Sequence, residues 1–170
     1  VTMALAFPDV YEVAMSHLGI KILYGLINRR EDAAAERVFA PWHDMEEEMR
    51  KRNIPLFSLE TRTPIKDFDV LAFTLQYEMS FTNILNMLDL AGIPMYAKDR
   101  DMDFPLLVCG GPCAFNVEPI ADFFDIVSLG ESEEWGDEFV DLYKAEKAKG
   151  FPDGKEGFLR KVAQIPGTYC

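Results

Sequence analysis

The sequence predicts an α/β protein in which a doubly wound sheet of five mainly parallel strands is flanked by helices. Segments typical of strands alternate with amphipathic segments five times along the 170 residues. The central strand segments, residues 70–76 and 106–109, are apolar without period-two alternation, as in strands buried on both faces. Hydrophobic residues make up 49% of the chain, enough for one sizeable core. We therefore expect a flavodoxin-like or Rossmann-like strand order with right-handed crossovers, and ligands beyond the carboxyl ends of the strands.

The first predicted unit is a strand followed by a helix. Thr2–Phe7 is a short β-prone run. Asp9 and Glu12 have the spacing of a capping box, so we expect a helix to begin there and to continue to residue 28. His17 lies on the apolar stripe of this predicted helix.

The second unit repeats this order. Residues 37–40 are typical of a strand, which Pro41 ends. Asp44 and Glu47 have capping-box spacing ahead of a charged helix that continues to residue 52. The density of charge predicts that this helix is mostly solvated.

The middle of the chain contributes the third strand. Residues 56–59 are predicted to be a short extended segment, and residues 70–76 a strand buried on both faces. Ser80 is predicted to cap Phe81–Ala91, whose apolar residues recur at helical spacing. Gly92 ends this helix.

The last part of the chain supplies two more buried strands. Residues 106–109 and 126–129 are apolar, and each run is followed by a glycine-containing loop. Helices are predicted over residues 133–149 and 155–163. Residues 166–170 are turn-like and end no predicted element.

Composition excludes several classes of function. Lys and Arg number 17 against 29 Asp and Glu, a net charge of −12, so we expect no nucleic-acid groove. The longest apolar runs are far shorter than the ~20 residues that cross a bilayer, so we expect no membrane span. Three cysteines, an odd number, and no secretory signal ahead of the first apolar segment predict a cytoplasmic protein.

The loops at the strand ends disfavour several common ligands of this fold. The turn at Pro8 lacks the glycines of a dinucleotide site. Thr74 and Gln76 end the third strand without the Asp of a phospho-receiver. Cys109 and Cys113 form no CxxC pair, so we expect no closed zinc site and interpret them as a core residue and a loop residue.

Glycines remain at two strand ends, each with two interpretations. Gly110 and Gly111 either let a planar or phosphate-bearing group approach the main chain or form a tight turn with positive φ. Gly130 and Glu131 open a helix whose amino end either favours anions or is capped by its own acids.

Five stretches of the chain form a recognisable pattern. They are AFPDVYEVAMSHLG at residues 6–19, RVFAPW at 37–42, FTLQYEMS at 73–80, NILNMLDLAGIP at 83–94 and CGGPCAFN at 109–116. Together they resemble the N-terminal region of a family of cobalamin-binding-domain radical SAM proteins, over residues 4–135. In that family a [4Fe-4S] cluster and S-adenosylmethionine belong to a separate catalytic domain with a CxxxCxxC motif. Cys109 and Cys113 have its first spacing, but Asn116 stands in place of the third cysteine.

The resemblance implies that residues of the strand-end loops bind cobalamin. Thr74–Leu75–Gln76 stands where cobalamin domains often have Ser-x-Leu, and the Gly-Gly and Gly-Glu loops match theirs. The implied cofactor-binding residues are Ser16, His17, Thr74, Gln76, Tyr77, Ser80, Gly110, Gly111, Pro112, Gly130 and Glu131.

His17 is the candidate cobalt ligand, with an incomplete motif. Cobalamin proteins that use an imidazole ligand carry Asp-x-His-x-x-Gly, in which the Asp orients the His. Here Met15 stands in place of the Asp and Ile20 in place of the Gly. Three states therefore stay open: cobalamin bound through His17, cobalamin bound without a protein ligand, or the fold without the cofactor.

The resemblance also divides the chain. Residues 1–150 are predicted to form a cobalamin-binding-like α/β domain. Residues 151–170 are predicted to form a C-terminal helix and the start of a linker to a radical SAM domain, which is the expected partner.

Two functional hypotheses follow. In the first, the domain presents a corrin, as methyl carrier or redox partner, to the catalytic domain, and needs a cleft above Thr74, Gly110 and Gly130. In the second, a cofactor-free domain packs on the radical SAM barrel and shapes substrate access. The second hypothesis predicts that side chains of the chain itself fill the same loops, for example Tyr77, Phe81, Phe115 and Trp135. Neither makes this chain catalytic alone, because Asp9, Glu12 and Glu78 are explained as caps or solvated loop acids.

Overall fold

The structure, a computed structural model, describes residues 1–170 and contains six strands and six α-helices. In chain order these are β1 (Thr2–Phe7), α1 (Tyr11–Ala14), α2 (Leu18–Ile27), β2 (Ala34–Phe39), α3 (His43–Arg52), β3 (Val70–Thr74), α4 (Phe81–Ala91), β4 (Leu106–Gly110), β5 (Ile126–Ser128), α5 (Ser132–Ala148), α6 (Gly154–Val162) and β6 (Thr168–Tyr169). None of the helices combines the length and the apolarity needed to cross a membrane.

The strand order confirms the doubly wound, flavodoxin-like fold. One sheet contains all the strands, in the order β2-β1-β3-β4-β5-β6. Strands β1 to β5 are parallel. The order reverses at β1, which pairs with β2 on one side and with β3 on the other. In such sheets ligands bind beyond the carboxyl ends of the strands at this reversal.

Each face of the sheet is covered by its own apolar core. Helices α3 and α4 contribute to a cluster of 23 buried residues on one face, and α2, α5 and α6 contribute to a cluster of 18 on the other. Successive side chains of β1 alternate between the two, with Ala4 and Ala6 in the first cluster and Met3 and Leu5 in the second. The sheet is therefore buried on both faces, as its apolar strands predict.

The sheet has one strand more than the five predicted. Strand β6 runs antiparallel to β5 and pairs through Thr168 with Ser128 and through Tyr169 with Val127. The indole Nε1 of Trp135 donates a hydrogen bond to Thr168 Oγ1 at 2.8 Å. A two-residue strand has no periodicity to detect, so these tertiary contacts define it and the sequence pattern does not.

The predicted side-chain caps do not form. Asp9 and Asp44 each accept a hydrogen bond from the N–H of the very next residue, and neither reaches an N–H further along its helix. Ser80 does occupy the N-cap position of α4, but its hydroxyl donates to the carbonyl of Tyr77. The helices α1, α3 and α4 therefore begin without side-chain caps.

The C-terminal segment packs on the same core as the rest of the chain. Phe158 and Val162 of α6 are fully buried in the cluster that contains α5. Lys155, also of α6, pairs with Asp125 at 2.6 Å, and Asp125 pairs in turn with the buried guanidinium of Arg100 at 3.2 Å. Apolar contacts and an ion pair thus join α6 to the sheet, while the division of the chain after residue 150 stays a prediction.

Candidate functional site

A cavity of about 240 Å³ lies at the C-terminal edge of the sheet, between α2 and α5. Residues of β1 and the carboxyl-terminal parts of β3, β4 and β5 line its base, which places it at the strand-order reversal. Its apolar lining includes Met3, Leu5, Ile20, Leu23, Ile27, Val108 and Trp135, and its polar lining includes His17, Thr74, Gln76, Ser128, Glu131, Ser132 and Glu133. This is the position where the fold class predicts a ligand.

The charge of the cavity disfavours phosphate-rich ligands. Glu131 and Glu133 line it, and no Lys or Arg does. The hydroxyls of Ser128 and Ser132, 3.4 Å apart, provide neutral hydrogen-bonding groups instead. A nucleoside di- or triphosphate would meet like charge here, so the lining favours a ligand whose inserted part is uncharged.

Gly111 forms a tight turn. Its φ is +101°, and a Cβ at this position would lie 3.0 Å from the carbonyl oxygen of Leu75 and 3.0 Å from Nε2 of Gln76. The amide of Cys113 also donates to the carbonyl of Leu75 at 2.9 Å. Gly111 therefore has the positive φ of the turn interpretation, and the β3–α4 loop occupies the side where a Cβ would stand. Approach of a ligand to the Gly-Gly loop stays a prediction.

Two other glycines leave open space at the cavity. No atom lies within 4 Å of the place where a Cβ of Gly130 or Gly136 would be. Gly136 is inside α5, where glycine costs about 0.5–1 kcal/mol relative to alanine. No packing contact within the chain requires a glycine at this position.

His17 lines the cavity as the N-cap of α2. The predicted long helix is interrupted at residues 15–17, so His17 has extended backbone and lies outside the helix. Its Nδ1 accepts the N–H of Ile20 at 3.2 Å, and its ring packs on Phe7 with centroids 5.1 Å apart. The ring also requires Gly19, because a Cβ there would lie 2.9 Å from Cε1 of His17.

This capping bond bears on the candidate cobalt ligand. A neutral imidazole whose Nδ1 accepts a hydrogen bond carries its proton on Nε2. A metal-ligating histidine instead donates from one ring nitrogen and binds the metal through the other. In this structure His17 acts as a helix cap through Nδ1, and its role as a cobalt ligand stays a prediction.

The structure brings seven of the eleven predicted binding residues to the cavity. These are His17, Thr74, Gln76, Gly110, Gly111, Gly130 and Glu131, whereas Ser16, Tyr77, Ser80 and Pro112 do not line it. The Ser16 hydroxyl donates to the carbonyl of Val13, and Ser80 is buried at the start of α4. Tyr77 is exposed in the loop after β3, and Pro112 begins a 3-10 turn after β4.

The binding residues predicted from the sequence do not include those of α2 and α5 that form one wall of the cavity. Ile20 and Leu23 of α2, and Ser132, Trp135 and Gly136 of α5, all line the cavity. Only Gly136 carries a signal in the sequence, as a glycine inside a helical segment. The approach of α2 to α5 is set by tertiary packing, which residue spacing does not report.

The thiols near the strand ends are poorly suited to react. Burial raises the pKa of Cys109 well above its ordinary value. Burial and the nearby Glu78 carboxylate both raise the pKa of Cys113. Both thiols are therefore protonated at neutral pH, and the thiolate is the reactive form. No group of three or more His, Cys, Asp and Glu side chains lies close enough together to hold a metal ion.

Comparison with known proteins assigns a family. The family described as "Radical SAM proteins, N-terminal" matches residues 19–170. The chain therefore belongs to the family of radical SAM N-terminal domains. It is also similar to an uncharacterized protein of Methanocaldococcus jannaschii, 28% identical over 134 residues, which are 77% of this chain and 24% of that protein. The chain thus spans about a quarter of the length of this curated relative. No solved structure matches the chain.

Proposed function

We propose that this domain binds cobalamin and presents it to the catalytic domain of a radical SAM protein. The observation that carries the proposal is the cavity at the strand-order reversal, with open space beside Gly130 and Gly136. Membership of the radical SAM N-terminal family supports the catalytic domain as the partner. When bound, cobalamin would supply a cobalt centre able to carry a methyl group or an electron.

The size of the cavity limits which part of the cofactor it can hold. A volume of about 240 Å³ is smaller than the roughly 300–1,000 Å³ of typical ligand pockets, and a whole cobalamin is larger still. Only an arm of the cofactor can enter, so the macrocycle has to remain outside the cavity. The apolar walls from Ile20, Leu23 and Trp135 suit a neutral heteroaromatic group, and Ser128 and Ser132 can hydrogen-bond it.

The exposure of two aromatic side chains favours this proposal over the alternative, in which the domain has no cofactor and its own side chains fill the strand-end loops. Tyr77 is 61% exposed and Phe115 is 74% exposed, so neither fills the space above the strand ends. Phe81 packs against the core on the α4 face, and Trp135 forms part of the cavity wall. The four side chains expected to fill the loops in the alternative therefore leave the cavity open.

A matched pair of glycine substitutions tests the proposal. Gly136→Leu and Gly25→Leu each add a side chain inside a helix where no atom lies within 4 Å of a Cβ, but only Gly136 lines the cavity. Leucine is a better helix former than glycine, so both variants should fold. We expect Gly136→Leu to weaken cobalamin binding about tenfold or more, a loss of about 1.4 kcal/mol, and Gly25→Leu to leave it unchanged.

Titration with hydroxocobalamin, followed by visible absorption, measures both variants and the unchanged protein. Equal affinity of the two variants would show that cobalamin does not use this cavity. Absence of saturable binding by the unchanged protein at high micromolar cobalamin would contradict the proposal itself.

A further inference from the structure

Exposed aromatic side chains follow four adjacent strands of the sheet. Trp42 follows β2, Tyr11 follows β1, Tyr77 follows β3 and Phe115 follows β4, and each is between 47% and 74% exposed. Because these strands are parallel, all four side chains lie at the same C-terminal edge. Exposed large apolar side chains gathered at one edge are typical of an interaction site.

The half of this edge at β1 and β2 is separate from the cavity. Its exposed apolar side chains are Tyr11, Val13, Trp42 and Met45, which we call the β1–β2 aromatic surface. None of the four lines the cavity. A ligand group confined to the cavity therefore does not contact this surface.

Contacts within the surface hold it in place. The indole Nε1 of Trp42 donates to Glu12 at 3.3 Å, which links the start of α3 to α1. The ring of Tyr11 packs edge-on against Phe39, with centroids 5.5 Å apart. The side chains are thus partly ordered before anything binds, and a partner has less conformational entropy to overcome.

The charge around this surface is negative. Glu12 lies in α1 and Asp44 lies in the first turn of α3, whereas Glu46 of the same turn is paired with Arg50. The basic residues of α3, Arg50 to Arg52, lie in its last turn, at the other end of the helix. An apolar centre with an acidic rim is complementary to a protein surface that combines apolar side chains with Lys or Arg, and it repels nucleic acid and anionic lipid.

We infer that the β1–β2 aromatic surface docks the catalytic domain of the same radical SAM protein, through apolar contacts ringed by Lys or Arg of that domain. The chain belongs to a family of N-terminal domains, and its match is about a quarter of its curated relative, so a protein of that length has further chain to cover the surface. The inference does not depend on cobalamin, because the surface and the cavity share no residue.

Two residues on the opposite edge of the sheet provide matched controls. Tyr96 and Met95, between α4 and β4, are 45% and 37% exposed, against 47% for Tyr11 and 43% for Met45. Hydroxyl-radical footprinting of the intact radical SAM protein, read by mass spectrometry, compares each pair of like residues. We expect Tyr11 and Met45 to oxidise several-fold more slowly than Tyr96 and Met95. Equal rates within each pair would overturn the inference.

A charge reversal separates docking from cofactor binding. We expect Glu12→Lys to raise the oxidation rates of Tyr11 and Met45 to those of their controls, because it places positive charge against the cationic partner. Glu156→Lys, at a highly exposed position of α6, should leave the rates unchanged. The cobalamin content of each variant is read separately by absorption, so loss of docking and loss of the proposed cofactor give different results. Protection that disappears on dilution would assign the surface to a second copy of the chain and would overturn the inference.

Discussion

The imidazole of His17 accepts the N–H of Ile20 through Nδ1, so a substitution at this position distinguishes a helix cap from a metal ligand. His17→Ala should lower the free energy of unfolding by about 1 kcal/mol. His17→Asn should keep most of this stabilisation, because asparagine also caps helices. Urea denaturation measures both. If cobalamin binds, its visible spectrum should be the same with His17→Asn as with histidine.

A change in the cobalamin spectrum, or equal stabilities of the two variants, would give His17 a different role. Loss of a histidine-ligated spectrum in His17→Asn would identify His17 as the cobalt ligand, and the capping bond would then belong only to the cofactor-free state. Equal destabilisation by Ala and Asn would show that ring packing on Phe7 matters more than the capping bond.

Single residues also show where sequence reasoning reaches its limit at the site. The sequence leaves the Gly110–Gly111 loop with two interpretations, and only the structure shows that Gly111 has a positive φ and that a Cβ there would meet Leu75. His17 is misplaced inside a helix because its apolar spacing is correct, while the break at residues 15–17 depends on tertiary packing. Gly136 could have been found as an unexplained helix glycine, but its position at the cavity could not.

At the scale of elements, a polar seam joins the solvated helix α3 to α4. Glu46 accepts from Asn86 of α4 and from Arg50, both at 2.9 Å, and Arg50 also donates to Asp89 at 2.7 Å. The hydrogen bonds from Asn86 and then Arg50 hold the pKa of Glu46 below its ordinary value of 4.5. The bound carboxylate thus stabilises the folded state, because it binds protons less readily there than in the unfolded chain.

This pKa shift predicts a pH dependence with a definite sign. The contribution of Glu46 is complete above the unfolded value of 4.5 and is lost as the pH falls through the lower folded value. Glu46→Gln should therefore reduce stability at pH 7 by about 1 kcal/mol or less, the range for partly exposed pairs. At pH values below the folded pKa, the variant and the unchanged protein should become alike.

Urea midpoints at neutral and acid pH measure this effect. Glu47→Gln provides the control, because the neighbouring Glu47 is exposed and makes no side-chain hydrogen bond. If Glu46→Gln is as much less stable than the unchanged protein in acid as at neutral pH, shape or packing stabilises the contact between α3 and α4, and the charge of Glu46 does not.

The elements differ in how far the sequence determines them. The bounds of β1 and α4 agree with their predictions, because an apolar run and a regular apolar stripe are strong local signals. The capping patterns at Asp9 and Asp44 fail because Asp can also bond the next amide. Strand β6 is too short to carry any pattern, so only its pairing with β5 reveals it.

At the scale of the whole molecule, the fold separates the charges of the helices. Helices that cross between parallel strands begin at the carboxyl edge of the sheet and end at the opposite edge, and acids favour helix starts while bases favour helix ends. In α3 the acids precede the bases in this way, and in α5 Glu133 and Glu134 lie in the first turn and Lys147 in the last. The starts of α3 and α5 therefore bring acidic side chains to the edge that holds the cavity, whereas α2 and α4 begin without them.

The packing of α6 predicts the result of shortening the chain. Truncation after residue 150 removes Phe158, Val162 and Ile165, which are 1%, 0% and 9% exposed in the core shared with α5. Each such side chain contributes about 1.5–3 kcal/mol when fully buried, and a whole domain is stable by only about 5–15 kcal/mol. The shortened chain also loses Lys155, which leaves Asp125 with one fewer cation. We therefore expect residues 1–150 to lose cooperative thermal unfolding, as followed by circular dichroism.

Truncation after residue 167 is the matched control for this experiment, because it removes β6 and keeps all of α6. That variant should still unfold cooperatively, at a somewhat lower temperature, since Trp135 loses its hydrogen bond to Thr168. If residues 1–150 unfold as cooperatively as residues 1–167 and at the same temperature, α6 contributes nothing to the core, and the domain ends at residue 150. If only residues 1–150 fail, helix α6 is part of the folding unit, and any linker to a catalytic domain begins beyond it.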